Sequence, residues 1–206
     1  MGVHPGRGWR VKPFSQACAN NQGPILAVLE RVFAPCRGVL EIGSGTGQHA
    51  VHFAPRLAHL HWQTSDLAHN HPGINAWIDE YPAPNLARPL VLDVERGPWP
   101  EGPFDAIFSA NTCHIMAWSA VAAMFAGIGR VAAPRAVIAL YGPFKYGGAF
   151  TTDSNARFDA QLRASAPHQG IRDIEAIVDL ARGEGFSLVE DNPLPANNQL
   201  LVFTRP

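Results

Sequence analysis

Apolar and polar positions along this chain follow two alternating patterns. Apolar residues three and four positions apart predict amphipathic helices, and short apolar runs bounded by glycine, proline or acidic residues predict strands. Because the two alternate through the first two thirds of the chain, they predict a parallel sheet with helices on both faces. The predicted strands read GVLEIGS, LHWQTSD, ARPLVLDV, FDAIFSAN and RAVIALYG, and the predicted helices read NQGPILAVLERVF, GQHAVHFAPRL, PGINAWIDEY and AWSAVAAMFAGIGRVAA.

Proline and asparagine predict several helix boundaries. Asn20 or Asn21 is expected to cap the first helix, with Pro24 in its first turn. Pro72 is expected to begin the helix PGINAWIDEY, and Pro134 to end the long apolar helix.

The pattern changes after Tyr141. The stretch GPFKYGGAFTTDSN is rich in glycine and aromatic residues and predicts a long loop that could close as a lid. Two helical stretches and two strands joined by a Pro/Asn turn follow it, and these strands predict an antiparallel addition to the sheet. Since no linker is visible, residues 1–206 are expected to form a single domain.

Composition excludes several classes of function. The formal net charge of −1 gives no basic excess, so nucleic-acid binding is not expected. The most apolar stretch is interrupted by glycines and an arginine, which indicates a buried helix and no membrane partner. The three cysteines, Cys18, Cys36 and Cys113, form no Cys-x-x-Cys pair, which favours a reducing, cytoplasmic location.

A glycine-rich turn follows the first predicted strand, where residues 41–47 read EIGSGTG. A phosphate-binding P-loop would need a lysine, and a dinucleotide loop would need Gly or Ala where Gln48 stands. The remaining pattern, E-x-G-x-G-x-G, resembles the first motif of class I S-adenosylmethionine (SAM) dependent methyltransferases. Without a specific partner, the same glycines would also fit a plain strand-to-helix turn.

Two acids at the ends of later strands favour SAM as the ligand. Asp66 lies about 20 residues after the glycine turn, where an acid accepts hydrogen bonds from ribose hydroxyls, and Leu67 would pack beside the adenine. In the methyltransferase pattern, an acid at the position of Asp93 accepts a hydrogen bond from the adenine amine. Either aspartate alone is also typical of a cap or turn. Glu41 could place negative charge near the ammonium group of SAM, directly or through water.

The resemblance extends over nearly the whole chain. It is carried by the segments ANNQGPILAVL, LEIGSGTGQHAVHFA, WQTSD, NTCHIMAW, LYGPFKYGG, SNARFDAQLRA, GIRDIEAI and PANNQLLVF. Together they resemble a family of small SAM-methyltransferase-like proteins from bacteria and animals that has no agreed substrate. Residues 19–24 lack the charged residues expected there in that family, which argues against a role of charge at that place.

This resemblance implies a Rossmann-like class I methyltransferase fold. It would be an α/β fold with a mostly parallel seven-stranded sheet, an antiparallel final strand and helices on both faces. The expected cofactor-binding residues are Glu41, Gly43, Ser44, Gly45, Thr46, Gly47, Asp66, Leu67, Asp93, Val94 and Asn111.

The methyl acceptor is expected next to the segment SANTCHI, which follows the fourth strand. Enzymes that methylate nucleobase amines carry [D/N]-P-P-[Y/F] here, and only Asn111 matches, so that activity is disfavoured. His114 is the candidate general base or orienting group, because the pKa of histidine lies near neutrality. A backbone-bonded residue at a helix entry remains the alternative for His114, and Cys113 is expected simply to pack.

Aromatic and polar residues of the last third are expected to complete the acceptor site. Tyr146 is a second candidate catalytic residue. Arg163 and Arg172 could each pair with a carboxylate, although a surface ion pair is the alternative for each. The expected substrate-binding residues are Tyr141, Phe144, Asn155, Arg163, Arg172 and Asn198. The nine histidines form no metal-binding motif, and no metal is expected.

These features predict a cytoplasmic SAM-dependent methyltransferase that acts on a small molecule by direct in-line displacement. The alternative is a non-catalytic module that binds SAM or S-adenosylhomocysteine (SAH) for regulation or interaction. An NAD(P)-dependent oxidoreductase is a third hypothesis, against which the spacing of the glycines argues.

Overall fold

The computed structural model describes residues 12–206, which form two sheets and six α-helices. The helices are α1 (Gln16–Val32), α2 (Gln48–Phe53), α3 (His71–Glu80), α4 (Trp118–Val131), α5 (Asp153–Ser165) and α6 (Ile174–Gly183). The strands are β1 (Gly38–Ile42), β2 (His61–Asp66), β3 (Leu86–Val91), β4 (Phe104–Ala110), β5 (Ala132–Gly142), β6 (Phe144–Tyr146), β7 (Ala149–Phe150), β8 (Arg172–Asp173), β9 (Ser187–Leu194) and β10 (Asn198–Thr204).

The main sheet has seven strands in the order β3-β2-β1-β4-β5-β10-β9. Strands β1 to β5 are parallel, whereas β10 is antiparallel to both of its neighbours. The predicted α/β fold, with its mostly parallel seven-stranded sheet and antiparallel final strand, is therefore confirmed. The strand order reverses between β1 and β4, which is where open α/β sheets bind ligands.

Apolar layers cover both faces of the main sheet, so alternate residues of β1 face different layers. Leu40 and Ile42 pack in the layer that contains Met124 and Phe125 of α4. Val39 packs in the layer formed with α1 and α2. Burial on both faces explains why β1 reads as a continuous apolar run interrupted only by an acid.

Two predicted helix boundaries are wrong. The first helix begins at Gln16, and the side chain of Ser15 accepts a hydrogen bond from the Cys18 N–H, so Pro24 lies inside the helix. The first two turns of α1 carry mostly polar and small residues, so they lack the apolar periodicity that predicts a helix. The second wrong boundary is the end of the long apolar helix. Helix α4 ends at Val131, and Pro134 lies within β5. Pro72 does stand in the first turn of α3, as predicted.

The predicted long loop after Tyr141 is also wrong. Strand β5 continues to Gly142, and a short hairpin follows it, in which β6 pairs with β7. Strand β8 adds to the other side of β6, which makes a small three-stranded sheet. Phe144 at the start of β6 is 1% exposed and packs in the core, so this segment is anchored and does not form a free lid.

Within residues 12–206, no helix is long and apolar enough to cross a membrane. The same part of the chain holds no group of three or more His, Cys, Asp or Glu side chains arranged to bind a metal ion.

Candidate functional site

The loops that follow β1 and β4 are held against each other. Gly43 has a φ of +73°, and a Cβ at this position would lie 2.6 Å from Cγ2 of Thr112. Ser109 donates from Oγ to the Ile42 carbonyl (2.7 Å), and its Oγ also lies 2.7 Å from Oγ1 of Thr112. Glycine is therefore required at position 43, because any side chain would push the two loops apart.

The other two glycines of the turn have different surroundings. A Cβ at Gly47 would lie 2.9 Å from Cα of Ile74, so this glycine lets α3 approach the start of α2. No atom would lie within 4 Å of a Cβ at Gly45, which borders open space. The turn is thus packed at both ends and open to a ligand in its middle.

A cavity of about 590 Å³, called here the strand-end cavity, opens beside Gly45. The loops at the carboxyl ends of β1, β2, β3 and β4 form most of its wall. The expected cofactor residues that line it are Gly43, Ser44, Gly45, Thr46, Asp66, Leu67, Asp93, Val94 and Asn111. Glu41 and Gly47 do not line it.

The described wall of the strand-end cavity is acidic. Its carboxylates are Asp66, Asp93 and Glu95, and no lysine or arginine lines it within residues 12–206. A phosphate group would find no cationic partner in this part of the wall, whereas a positively charged ligand would be favoured. The apolar part includes Leu67 and Val94, with which the flat faces of a base could pack.

Asp66 holds the glycine turn in place. Its Oδ2 accepts a hydrogen bond from the Gly45 N–H (2.7 Å), and its Oδ1 accepts from the Leu67 N–H (2.7 Å) and from Asn70 Nδ2 (2.8 Å). An ionised carboxylate offers about four acceptor positions, so one remains beside the cavity. Asp66 can accept from a ligand hydroxyl while it keeps these three bonds.

Asp93 forms a turn and also lines the strand-end cavity. Its Oδ1 accepts hydrogen bonds from the N–H groups of Glu95 (3.0 Å) and Arg96 (3.3 Å), as a turn-forming aspartate does. It also lines the strand-end cavity, next to Val94. The turn therefore fixes the position of a carboxylate that a ligand can reach.

Glu41 lies 2% exposed beneath the glycine turn. Its Oε2 accepts hydrogen bonds from Ser44 Oγ (2.9 Å) and Trp62 Nε1 (3.1 Å). Burial raises the pKa of this carboxyl from 4.5 to about 7; the two hydrogen bonds oppose the change, and the negative charge of Asp66 adds to it. Glu41 thus supports the turn from below and has no direct access to the strand-end cavity.

A second cavity of about 540 Å³, called here the amide cavity, adjoins the first. Asn111 and Ser15 line both cavities. Asn111 has a φ of +61°, a strained backbone conformation that clusters at functional sites in other proteins. The described wall of the amide cavity consists of Ser15, Ala17, Asn20, Asn21, Asn111, His114, Tyr141, Pro143, Ser154, Asn155, Phe158, Pro195, Ala196 and Asn198.

His114 is a wall residue of the amide cavity and is 6% exposed. Burial, and to a smaller extent the positive charge of Arg172, lower the pKa of its imidazole to about 4. The ring is therefore neutral at pH 7. It meets the ring of Phe158 edge-on, with 5.4 Å between the centroids.

The substrate-binding residues expected from the sequence divide into two groups. Tyr141, Asn155 and Asn198 line the amide cavity. Phe144, Arg163 and Arg172 do not, and each has a structural role. Phe144 packs in the core, Arg163 pairs with Asp159 through Nε (2.7 Å), and Arg172 donates to the carbonyls of Cys113, Met116 and His168.

Tyr146, the second candidate catalytic residue, lies outside the described wall of both cavities. Its hydroxyl donates to Oδ2 of Asp191 (2.6 Å). Burial and the negative charge of Asp191 raise the pKa of Tyr146 above its ordinary value. The structure therefore gives no support to a catalytic role for Tyr146.

Several wall residues were not identified from the sequence. His49 lines the strand-end cavity, and its Nε2 donates to Oδ1 of Asn21 (2.7 Å), which lines the amide cavity. Ser15 contacts Gln48, whose Oε1 accepts from the Ser15 N–H (2.6 Å) and whose Nε2 donates to the Ser15 carbonyl (3.3 Å). No motif marked these pairs, because they join residues 28 and 33 positions apart.

The sheet order and the position of the strand-end cavity are those of the class I methyltransferase fold. The chain is similar to the SAM-dependent methyltransferase SibL (TM-score 0.78, 18% identity, 92% of this chain and 56% of that chain). It is also similar to an O-methyltransferase family protein from Burkholderia thailandensis (TM-score 0.76, 16% identity, 92% and 57%). A third similar structure is human N-acetylserotonin methyltransferase in complex with SAM (TM-score 0.76, 13% identity, 92% and 53%).

This chain belongs to the family described as "Protein of unknown function (DUF938)", which matches residues 12–205. The chain spans slightly more than half the length of the methyltransferases just compared with it.

Proposed function

We propose that this protein is a SAM-dependent methyltransferase that acts on a small molecule. SAM would bind in the strand-end cavity and the methyl acceptor in the amide cavity. The observation that carries the proposal is that the two cavities adjoin and share Asn111 and Ser15. The single domain expected over residues 1–206, of which residues 1–11 lie outside the described part, would be cytoplasmic, and the three free cysteines support that location.

The chemistry of the strand-end cavity fits SAM better than a nucleotide with phosphates. SAM carries a sulfonium and an ammonium group, and the cavity wall offers Asp66, Asp93 and Glu95. Open space at Gly45 would admit the ligand close to the backbone. Asp66 would accept from the ribose hydroxyls and Asp93 from the adenine amine, with Leu67 and Val94 against the base.

When bound, SAM supplies an electrophilic methyl group. The protein's part is then to align the acceptor and to exclude water. Asn111, at the shared wall, would position the two ligands relative to each other. His114 would orient the acceptor by hydrogen bonding, because a pKa of about 4 makes its neutral ring a weak base at pH 7.

The name of one similar structure includes a small acceptor, N-acetylserotonin. Another is described as an O-methyltransferase family protein. At such low identity to this chain, their similarity extends only to the fold. The inference about an acceptor rests on the neutral, polar amide cavity of this chain.

Calorimetric titration with SAM tests the first half of the proposal. We expect saturable binding to the purified protein, and weaker binding to the variant Asp66→Asn. Asp79→Asn is the matched control, since Asp79 is exposed and pairs with Arg88 outside both cavities. An absence of SAM binding would exclude both the enzyme and the non-catalytic SAM-binding module.

Methyl transfer tests the second half. The protein is incubated with methyl-labelled SAM and a metabolite extract, and we expect label in a small product. Tight binding of SAM without transfer to any extract would favour the non-catalytic regulatory or interaction module.

A further inference from the structure

The amide cavity has a polar wall without charge in its described part. Five asparagines contribute to it, together with serine and tyrosine hydroxyls and the imidazole of His114. No lysine, arginine, aspartate or glutamate lines it within residues 12–206. The strand-end cavity next to it has three carboxylates, so one cavity has an acidic wall and the other an uncharged wall.

Asn155 presents a fixed hydrogen-bond acceptor at this wall. Its Nδ2 donates to Thr151 Oγ1 (2.9 Å) and to the Asn197 carbonyl (3.0 Å), which uses both amide hydrogens. The residue is 6% exposed, and no described residue donates to its Oδ1. This oxygen is not closed off from the cavity, so it can accept a hydrogen bond from a ligand bound there.

His114 adds a neutral donor and a neutral acceptor. One ring nitrogen of an uncharged imidazole donates and the other accepts. The guanidinium of Arg172, the cation whose charge acts on His114, is bonded to three backbone carbonyls and does not line the cavity. It offers no partner to an anionic ligand there.

A charged ligand would lose its hydration in this cavity without gaining a counter-charge from the described wall. Burying an unpaired charge is far more costly than burying a neutral polar group that finds hydrogen bonds. We infer that the acceptor is an uncharged small molecule with at least one hydroxyl or amide N–H group that donates to Asn155. This inference rests on the proposed methyltransferase function.

An extract sorted by charge tests this inference. A metabolite extract is passed through anion- and cation-exchange resins at pH 7, and the unretained, anionic and cationic fractions are each incubated with the protein and methyl-labelled SAM. We expect the labelled product to arise from the unretained fraction. Label arising only from a retained fraction overturns the inference and leaves the proposed function intact, whereas SAM binding without label in any fraction overturns both.

Variants then test the part played by Asn155, with the active unretained fraction as the substrate. Asn155→Leu is expected to raise the KM for the acceptor about tenfold, the effect of one unmet hydrogen bond, while the Kd for SAM stays unchanged. Asn75→Leu is the matched control, since Asn75 lines neither cavity and contacts Arg88 on the surface. An unchanged KM in Asn155→Leu overturns the assignment.

Asn198→Asp provides a second variant that does not disturb the buried amide. It places one carboxylate at the cavity wall, at the start of β10, where the Asn198 side chain donates to the Pro195 and Ala196 carbonyls and also approaches the Tyr141 hydroxyl. We expect cationic compounds, which the wild-type protein does not methylate, to become substrates of this variant. If anionic compounds are methylated equally well by both proteins, the neutral wall does not select the acceptor.

Discussion

The two adjoining cavities of this protein are built in different ways. The strand-end cavity takes most of its wall from loops that follow consecutive parallel strands, and its carboxylates come from those loops. The amide cavity takes its wall from α1, the loop after β4, the end of β5, α5 and the turn between β9 and β10. The first is acidic and the second is neutral in its described part.

This difference explains why one cavity is easier to recognise in the sequence than the other. Parallel strands end at one edge of a sheet, so residues at successive strand ends are near each other by construction. Residues in the amide cavity are near each other only because helices and a distant turn pack together. Asn21 and Asn198, for example, both approach the Tyr141 hydroxyl, where they oppose the effect of burial, which raises the pKa of Tyr141.

The largest expected effect tests the close packing of the strand-end cavity. Gly43→Ala would place a Cβ 2.6 Å from Thr112 at a φ of +73°, and we expect it to lower the free energy of unfolding by roughly 2–4 kcal/mol and to weaken SAM binding. Gly147→Ala is the control, because its φ is +55° and no atom lies near its Cβ, so it would lose roughly 1 kcal/mol. Unfolding in urea measures both, and equal losses would show that the contact with Thr112 is unimportant.

The second prediction concerns the charge buried behind the same cavity. The pKa of Glu41 is about 7 in the folded protein and near 4.5 when unfolded, so the folded state holds its proton more tightly. The contribution of Glu41 to the free energy of unfolding should be complete below pH 4.5. It should fall by about 3 kcal/mol as the pH rises through 7.

Glu41→Gln should remove most of this fall, whereas Glu80→Gln, at an exposed ion pair with Lys12, should not. Urea unfolding of the SAM-free protein from pH 5 to 8 is the measurement. A parallel fall in wild type and Glu41→Gln would assign the pH dependence to other groups.

The third prediction separates the two cavities directly. Asp66→Asn removes a carboxylate that contacts the glycine turn, and we expect SAM affinity to fall by roughly 1.5–3 kcal/mol, the value of a hydrogen bond to a charged group. The KM for the acceptor should change little, because Asp66 lines only the strand-end cavity. Calorimetry and initial rates distinguish the two, and a larger change in the acceptor KM would contradict the division.

The smallest expected effect is on the amide cavity. His114→Gln keeps a donor and an acceptor, so the methyl-transfer rate should fall by no more than about tenfold, whereas loss of a true general base costs about 10²–10⁴-fold. Because the pKa of His114 is about 4, the wild-type rate should show no inflection due to this group between pH 6 and 8, and should fall only as the pH drops toward 4. His61→Gln, at an exposed position, is the control.

An inflection near pH 6.5 in the wild type that disappears in His114→Gln would restore the general-base hypothesis. Such a result would also mean that His114 becomes charged near neutral pH, so that the amide cavity is not uncharged.

Particular residues show how much of the candidate site could be predicted from the sequence. Asp66 and Asp93 were identified because each follows a strand, and both line the strand-end cavity. Glu41 belongs to the same motif, yet its position within β1 turns it toward Trp62 and away from that cavity. Side-chain chemistry alone predicts that Arg163 and Arg172 bind substrate, but in the structure Asp159 and backbone carbonyls engage their donors.

Local sequence patterns predict the order of the six helices and of the seven strands of the main sheet, the glycine turn and the acids at the strand ends, but not the small sheet of β6, β7 and β8. These follow from local periodicity and from the geometry of a parallel sheet, both of which act over short stretches of chain. The tertiary structure alone decided that Ser15 meets Gln48, that His49 meets Asn21, and that an uncharged wall forms beside Asn111. Such contacts depend on how distant elements pack, and no local pattern of residues encodes that packing in a readable form.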